Sequence, residues 1–485
     1  MRAVVYFRRM SIALHWFRND LRLADNAALS ETARADRAAF VFVVEENEGF
    51  RPRGGASRWW LHHSLEALSR EIAAKGNRLI LLRGDSETLI PALAARIGAC
   101  QVTFNRRTGG VEREADARIT AKLEAAGIKV LARNGALLHD PARHATGSGT
   151  PFRVFTPFWR AFTAGPAPEA ASPPPATLPP DAAVQEISLG TEDIAPLPRN
   201  PDWAAGLRAT WQPGEAGAAH RLEAFIEHGL HLYAGNRERP DLPATSMLSP
   251  HLAFGEISPR QIWHRAMIAR EAGANTGDVE KFLAEIGWRE FSHHLLFHFP
   301  DLARRNFQPK FDAFPWQRNE ALLTAWQKGE TGYPLVDAGM RQLWRTGTMH
   351  NRVRMVVASF LVKHLRIDWR EGENWFWDTL CDADPASNPA SWQWVAGSGA
   401  DAAPYFRVFN PISQGEKFDP DGTYIRENIP ELAALPAGAI HRPWEAPPLL
   451  LAGAGVKLGE TYPRPVVSHE AAREKALAAF AALSG

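Results

Sequence analysis

Short apolar, β-branched runs recur along the first part of the chain, at Ser11–Trp16, Ala38–Val44, Arg78–Leu82, Gln101–Phe104 and Ile128–Leu131. Stretches with helical spacing separate them around 57–75, 86–98 and 111–126. Strands and helices that alternate in this way predict a parallel, doubly wound α/β domain. Such a sheet offers a ligand crevice at the carboxyl ends of its strands, yet no G-x-G-x-x-G follows the first strand and no G-K-[ST] occurs. An ordinary NAD or ATP site is therefore not expected there. Ten prolines fall between Pro166 and Pro201, three of them in a row at 173–175; they exclude regular helix and central strand and predict a linker. From about residue 215 the apolar period becomes three or four, as in RLEAFIEHGL, VEKFLAEIGWREFSHHLLFHF and GMRQLWRTGTMHNRVRMVVASFLVKHL. This predicts an all-α second domain, with helices broken at Pro240, Pro300, Pro334, Pro385 and Pro411. The expected organisation is an α/β domain over 1–138, a connector over 139–214 and a helical domain over 215–485.

Composition narrows the class. With 485 residues, 45% hydrophobic and 22% charged, the chain is an ordinary globular protein of several domains, which excludes global disorder and fibrous architectures. No apolar run reaches the ~18 residues of a spanning helix, and MRAVVYFRRM lacks the apolar stretch of a signal peptide, so a soluble, cytoplasmic protein is expected. Cys100 and Cys381 are the only cysteines, which excludes a disulfide framework, a four-cysteine zinc site and a four-cysteine iron–sulfur cluster. The net charge of +1 gives no whole-molecule pull toward an anionic partner, so any nucleic-acid surface must be local. Of 17 tryptophans, nine lie between Trp288 and Trp394; an aromatic-rich core is their simplest use.

Four constellations could carry chemistry. Between Arg341 and Arg370 stand seven basic residues (Arg341, Arg345, Arg352, Arg354, Lys363, Arg366 and Arg370) against one acid, Asp368. Together with Trp344, Asn351, Met355, Trp392 and Trp394, this resembles a surface that neutralises phosphates and stacks bases, or else a solvated helix face beside core aromatics. Asp382 and Asp384 form a D-x-D pair that could grip a divalent metal or accept hydrogen bonds from a ring N–H or ribose, with Asn388 adding an amide. An EF-hand loop is excluded, because Gln393 stands where its final Glu belongs. His294 and His298 are one helical turn apart, but without H-E-x-x-H or a nearby cysteine no metal is expected. Thr245, Ser246 and Ser249, following Tyr233, offer hydroxyls near a predicted helix start, which suits a phosphate or plain N-capping.

Eight blocks in a fixed order bear a more specific likeness: HWFRNDLRLADNAAL, FTPFWRAF, TSMLSP, WREFSHHLL, TGYPLVDAGMRQL, MHNRVRMVVASFLVKHL, DWREGENWFWDTLCDADP and SWQWVAGSGADAAPYFRVFNPISQGEKFD. In these blocks the chain resembles the photolyase/cryptochrome family from about Ser11 to Val467, with Met10 at the family's start and residues 1–9 as an extension. The resemblance implies an α/β antenna domain, a connector and a helical domain holding a U-shaped FAD. It places cofactor contacts on Tyr233, Thr245, Ser246, Leu248 and Ser249 at the diphosphate, and on Glu285, Arg289, Asn351, Arg354, Asp382, Asp384 and Asn388 around ribose, adenine and isoalloxazine. Asn388 matches the position facing flavin N5, where plant cryptochromes carry Asp; a neutral amide there suits the anionic reduced flavin. Thr348 departs from the family's common Trp.

The same resemblance implies a lesion type. Enzymes for the (6-4) photoproduct carry histidines where this chain has Asn351 and Met355, which match the cyclobutane pyrimidine dimer enzymes. Glu285, Asn351 and Asn388 are thus the expected catalytic residues, with Glu285 a protonated donor; Trp288, Met355 and Trp394 line the lesion pocket; and Arg237, Arg352, Arg407 and Gln414 lie near the DNA strand. Trp392, Trp369 and Trp316 match an electron relay from flavin to surface. YPLVDAGMRQLW, FWDTLCDADP and HRPWEAP are similar to the bacterial class III branch. Glu112-Arg113 replaces the Asn-Glu of class I folate binders, and the expected antenna is methenyltetrahydrofolate, with a deazaflavin second. The expectation is a monomeric DNA photolyase acting on UV-damaged DNA; the alternative is a cryptochrome, a blue-light receptor signalling through a protein partner.

Overall fold

The computed structural model describes residues 10–402 and 406–484; the expected extension at 1–9 lies outside the described residues. Five parallel strands, β1 (Ile12–Phe17), β2 (Arg37–Glu45), β3 (Leu79–Gly84), β4 (Gln101–Asn105) and β5 (Lys129–Arg133), form one sheet in the order β3-β2-β1-β4-β5. Every expected strand is present, its ends shifted by at most two residues. The chain winds outward from β1 in both directions, which lays crossover helices on both faces. That is why β2 reads as an unbroken apolar run: Ala38 to Val43 are all buried, covered on two sides.

The proline-rich stretch differs from the expected linker. It straps the α/β domain: Asp181 bridges Ala38 at the sheet, Leu178 N–H donates to the Lys75 carbonyl (3.2 Å) and Leu189 N–H to Leu81 (2.9 Å). Leu178, Ile194, Ala195, Leu207 and Trp211 then share a core with Trp59 and Trp60. Prolines suit this role, since a backbone laid across a surface needs few ladder donors.

Beyond residue 215 the described residues form helices and loops, apart from one isolated bridge between Leu458 and Tyr462. The architecture is an N-terminal α/β domain followed by an all-α region. Pro334 and Pro411 do not merely end helices; each opens one, at a first-turn position where its missing N–H costs nothing. The longest helix, Thr276–His298, is capped by Asn275, whose side chain accepts from Asp278 N–H (3.1 Å). Its apolar stripe of Val279, Phe282, Leu283 and Ile286 packs on Phe225, Leu248 and Ile262, which turns Glu285, Trp288 and Arg289 to the other side. No helix among the described residues is long and apolar enough to cross a membrane.

The segment Arg51–Ser57 closes the seam between the two regions. Trp377 Nε1 donates to the Pro52 carbonyl (2.8 Å), Gly55 N–H to Asp378 Oδ1 (2.7 Å) and Ser57 Oγ to the Leu380 carbonyl (3.2 Å). Gly54 has no room for a side chain, because a Cβ there would overlap the Trp377 carbonyl oxygen and the Asp378 Cα. Gly54→Ala should therefore destabilise the protein by about 1–3 kcal/mol. Gly453→Ala, where a Cβ meets nothing within 4 Å, should be neutral or better. Urea or thermal melts of the two variants check this, and equal melts would remove the seam from the account.

Candidate functional site

A cavity of about 580 Å³ opens within the helical region, a size typical of cofactor sites. Its walls come from the short turn Tyr233–Asn236, the loop entering Ser249–Phe254, the helix Thr276–His298 and the starts of Asn351–Ser359 and Ser387–Ala396. All twelve residues expected to contact a cofactor line it. At one side stand buried Tyr233 and Leu248 with the hydroxyls of Thr245, Ser246 and Ser249. Burial pushes the Tyr233 phenol above its ordinary range, so it stays a neutral donor.

The polar wall opposite is anchored from behind. Asp382 accepts two hydrogen bonds from Arg354 (2.9 and 3.2 Å), whose Nε donates to the Met349 carbonyl (2.8 Å). Asp384 Oδ1 accepts from the N–H groups of Ala386 (2.9 Å) and Ser387 (2.6 Å), and His293 Nε2 lies 3.3 Å from Oδ2. Burial alone would raise the Asp384 carboxyl, but His293, Arg289 and the N–H of Ser387 hold it well below the ordinary range. Each aspartate of the D-x-D pair thus has its own partners on the protein side. Asn388 donates from Nδ2 to both the carbonyl (3.1 Å) and the carboxylate (2.8 Å) of Glu373. Arg289 anchors to the Ala136 carbonyl (3.0 Å), and Thr348, the departure from the family's Trp, lines the cavity.

Toward the mouth the cavity is lined by Glu285, Trp288, Asn351, Arg352, Met355 and Trp394. Trp288 stacks on Phe155 with centroids 3.8 Å apart, a rigid aromatic plate. Glu285, the expected proton donor, has two cations beside it: Arg237 is hydrogen-bonded to it and Lys281 lies 3.6 Å away. Arg237, expected near the DNA strand, is buried and lines the cavity as the partner of Glu285. Arg352 pairs with Glu238 and covers Phe418 at 4.4 Å. Arg407 and Gln414 are not in the cavity wall; Arg407 is exposed over Phe409 (4.6 Å), while Gln414 keeps its Oε1 buried without a partner.

Of the three relay tryptophans only Trp392 lines the cavity, and its indole N–H is buried without a partner. Gly372 permits that placement, since any Cβ there would collide with the Trp392 ring. Trp369 is fully buried in the same apolar cluster and donates to Asn306 (2.9 Å), and Trp316 packs on that cluster at its half-buried edge. His294 and His298 serve backbone groups, at Phe152 N–H (3.0 Å) and the Pro141 carbonyl (3.0 Å). The ligating side chains that do converge among the described residues are His62, His63 and Glu66, outside the cavity. Sequence reasoning missed Glu373, Arg51 and His350. Arg51 and Glu373 stand 322 residues apart, and no spacing rule connects them. His350 caps the Asn351–Ser359 helix by accepting from Arg352 N–H (3.2 Å).

The chain also resembles known proteins over nearly its whole length. Residues 13–179 match the family model for DNA photolyase, and residues 282–482 match the FAD binding domain of DNA photolyase. A deoxyribodipyrimidine photo-lyase of Agrobacterium fabrum is 52% identical over 96% of this chain and 97% of its own. A crystal structure of a class III photolyase from Agrobacterium tumefaciens superposes with a TM-score of 0.95 at 50% identity, covering 100% of both chains. Cryptochrome-1 of Arabidopsis thaliana is 39% identical over 95% of this chain and 69% of its own. The chain belongs to the photolyase/cryptochrome family. The cavity fits the FAD of that family: the hydroxyls of Thr245, Ser246 and Ser249 suit a diphosphate, and Arg289, Arg354, Asp382 and Asn388 supply donors and acceptors for a ribose and a polar ring.

Several imidazoles are buried as neutral groups: burial lowers His15 and His350 to about 4, and His294 and His364 to about 3. Their unfolded value is near 6.5. A depressed imidazole pKa favours the neutral fold, so this contribution is whole above pH ~6.5 and is lost as pH falls from ~6.5 toward 4. Each group adds at most about 1.4 kcal/mol per pH unit in that window. The urea midpoint should drop clearly between pH 7.5 and pH 5.5; an unchanged midpoint would mean these imidazoles take up protons in the folded state.

Proposed function

We infer that the chain is a deoxyribodipyrimidine photolyase that uses light and FAD to split cyclobutane pyrimidine dimers in DNA. The observation that carries this reading is the mouth of the cavity. Asn351 and Met355 line the same cavity as Trp288, Trp394 and the amide-bearing Asn388. Reduced FAD, excited by blue light, supplies the electron that opens the cyclobutane ring and receives it back, so no net redox change results.

The protein's own groups hold the dimer and shape its surroundings. Photolyases are among the enzymes that take their target out of the base stack, and Trp288 and Trp394 offer the flipped dimer apolar faces. Asn351, exposed at a helix start, presents an amide that can both donate and accept, as a pyrimidine carbonyl and imide require. Glu285, backed by Arg237 and Lys281, accepts from an imide N–H, while the two cations draw toward the cavity the negative charge that develops on the opened dimer. Arg352 in the cavity wall and exposed Arg407 outside it are the cations offered to the DNA phosphates.

A second, shallower cavity of about 410 Å³ lies at the carboxyl ends of β4 and β5, lined by Arg106, Arg107, Thr108, Arg113 and Phe297. This is the crevice expected of a doubly wound sheet. The family likeness alone favours methenyltetrahydrofolate as antenna ahead of a deazaflavin, since Arg106 and Arg107 of this crevice already face Asp140, Glu45 and Asp116. Absorption of the released chromophores distinguishes the two.

Blue light should restore a dimer-bearing oligonucleotide when the reduced protein is present, and no restoration would move the reading to a cryptochrome-type receptor. Trp316→Phe separates repair from the relay. In the proposed relay Trp392 at the cavity wall would give an electron to excited oxidised FAD, Trp369 would refill it, Trp316 would refill Trp369, and an external thiol would reduce Trp316. The variant should slow photoreduction of the oxidised protein strongly, while the chemically reduced protein repairs at close to the wild-type yield. Unchanged photoreduction would place the exit elsewhere.

A further inference from the structure

We propose that Arg51, a residue of the α/β domain, is a positioning residue for the flavin: through Glu373 it fixes the amide of Asn388 with its oxygen toward the cavity. This deepens the reading of the cavity as an FAD site and rests on it.

The chain of contacts runs in three links. Arg51 grips Glu373 with both arms, Nη1 to Oε1 (2.7 Å) and Nη2 to Oε2 (2.8 Å), and Nη2 also reaches Asn374 Oδ1 (2.7 Å). A two-armed guanidinium–carboxylate pair fixes direction as well as charge. The Arg51 side chain is one-third exposed (33%), whereas that of Glu373 is almost wholly buried (3%). Glu373 is therefore a buried carboxylate whose cation arrives from the other domain. In the last link, both hydrogens of Asn388 Nδ2 are taken by Glu373, by its carbonyl (3.1 Å) and its Oε1 (2.8 Å). With both donors spent, Asn388 can offer the cavity it lines only Oδ1, an acceptor.

The direction of that amide selects a partner. An acceptor favours a ligand atom that carries a hydrogen, and flavin N5 carries one when reduced and none when oxidised. The amide orientation thus tilts bound FAD toward its reduced state. Arg51 is itself held in place, with its guanidinium 4.2 Å over the Trp377 ring, and Trp377 bonds to Pro52 next to it (2.8 Å). Without Arg51, the Glu373 carboxylate would be left buried without its cation and free to turn, and the amide with it.

The test is an anaerobic reductive titration of the FAD-loaded protein, following the flavin spectrum against a reference dye. Arg51→Met should retain FAD and shift the oxidised-to-reduced equilibrium about fivefold toward oxidised, the size of one net hydrogen bond; Arg51→Lys should recover part of the shift. In an Asn388→Ala background Arg51→Met should cause no further change, because the group it acts through is gone. An equal shift in that background would overturn the proposal in favour of general loosening of the seam. An unshifted equilibrium in Arg51→Met protein that still binds FAD and repairs dimers would overturn this proposal alone. A chain that binds no FAD would overturn the cofactor reading, and this proposal with it.

Discussion

Charge buried beside a cavity must be answered from behind, and the helical region is organised around that requirement. Asp384 is held ionised by His293 and by two backbone N–H groups; Asp382 is held by Arg354; Glu285 by Arg237; and Glu373 by Arg51. Losing one partner of a buried pair typically costs about 3–5 kcal/mol. Each pair therefore ties a helix to a loop or turn. The cavity persists because its polar lining is satisfied on the protein side and left open on the other, which a closed apolar core could not provide.

That arrangement explains why two domains of different architecture meet so closely. The α/β sheet needs cover at its edge and at its strand ends, and the proline-rich strap supplies part of it by packing Leu178, Ile194 and Trp211 against Trp59 and Trp60. At the seam, Gly54 lets the backbone of the α/β domain lie against Trp377 and Asp378, close enough for Arg51 to reach Glu373. A residue on a loop of one domain thereby reaches the wall of the cavity in the other.

Much of this was legible in the residues, and the rest was not for definable reasons. Periodicity marked all five strands and the long helices, because local burial patterns repeat every two or every three to four residues. The cavity wall was legible through family likeness, and every expected cofactor contact does line one cavity. What escaped was pairing over long separations. Arg237 matches a position near the DNA strand, but no spacing in the sequence shows its bond to Glu285, 48 residues on. The prolines kept the segment free of regular structure except for one short helix, Thr191–Ile194, yet gave no sign that the segment packs, since proline composition reports lost donors and not burial. Trp392, Trp369 and Trp316 could be related only by the fold, which sets them in and against one apolar cluster.

The central claim is that the cavity is built to hold a flavin. The most direct measurement is the flavin content of the purified, folded protein, read from the absorption spectrum after denaturation and checked by thermal melting with and without added FAD. The account predicts a single FAD per chain and a clear loss of thermal stability once it is stripped. A folded chain that carries no flavin, and whose melting temperature does not rise when FAD is supplied, would contradict it.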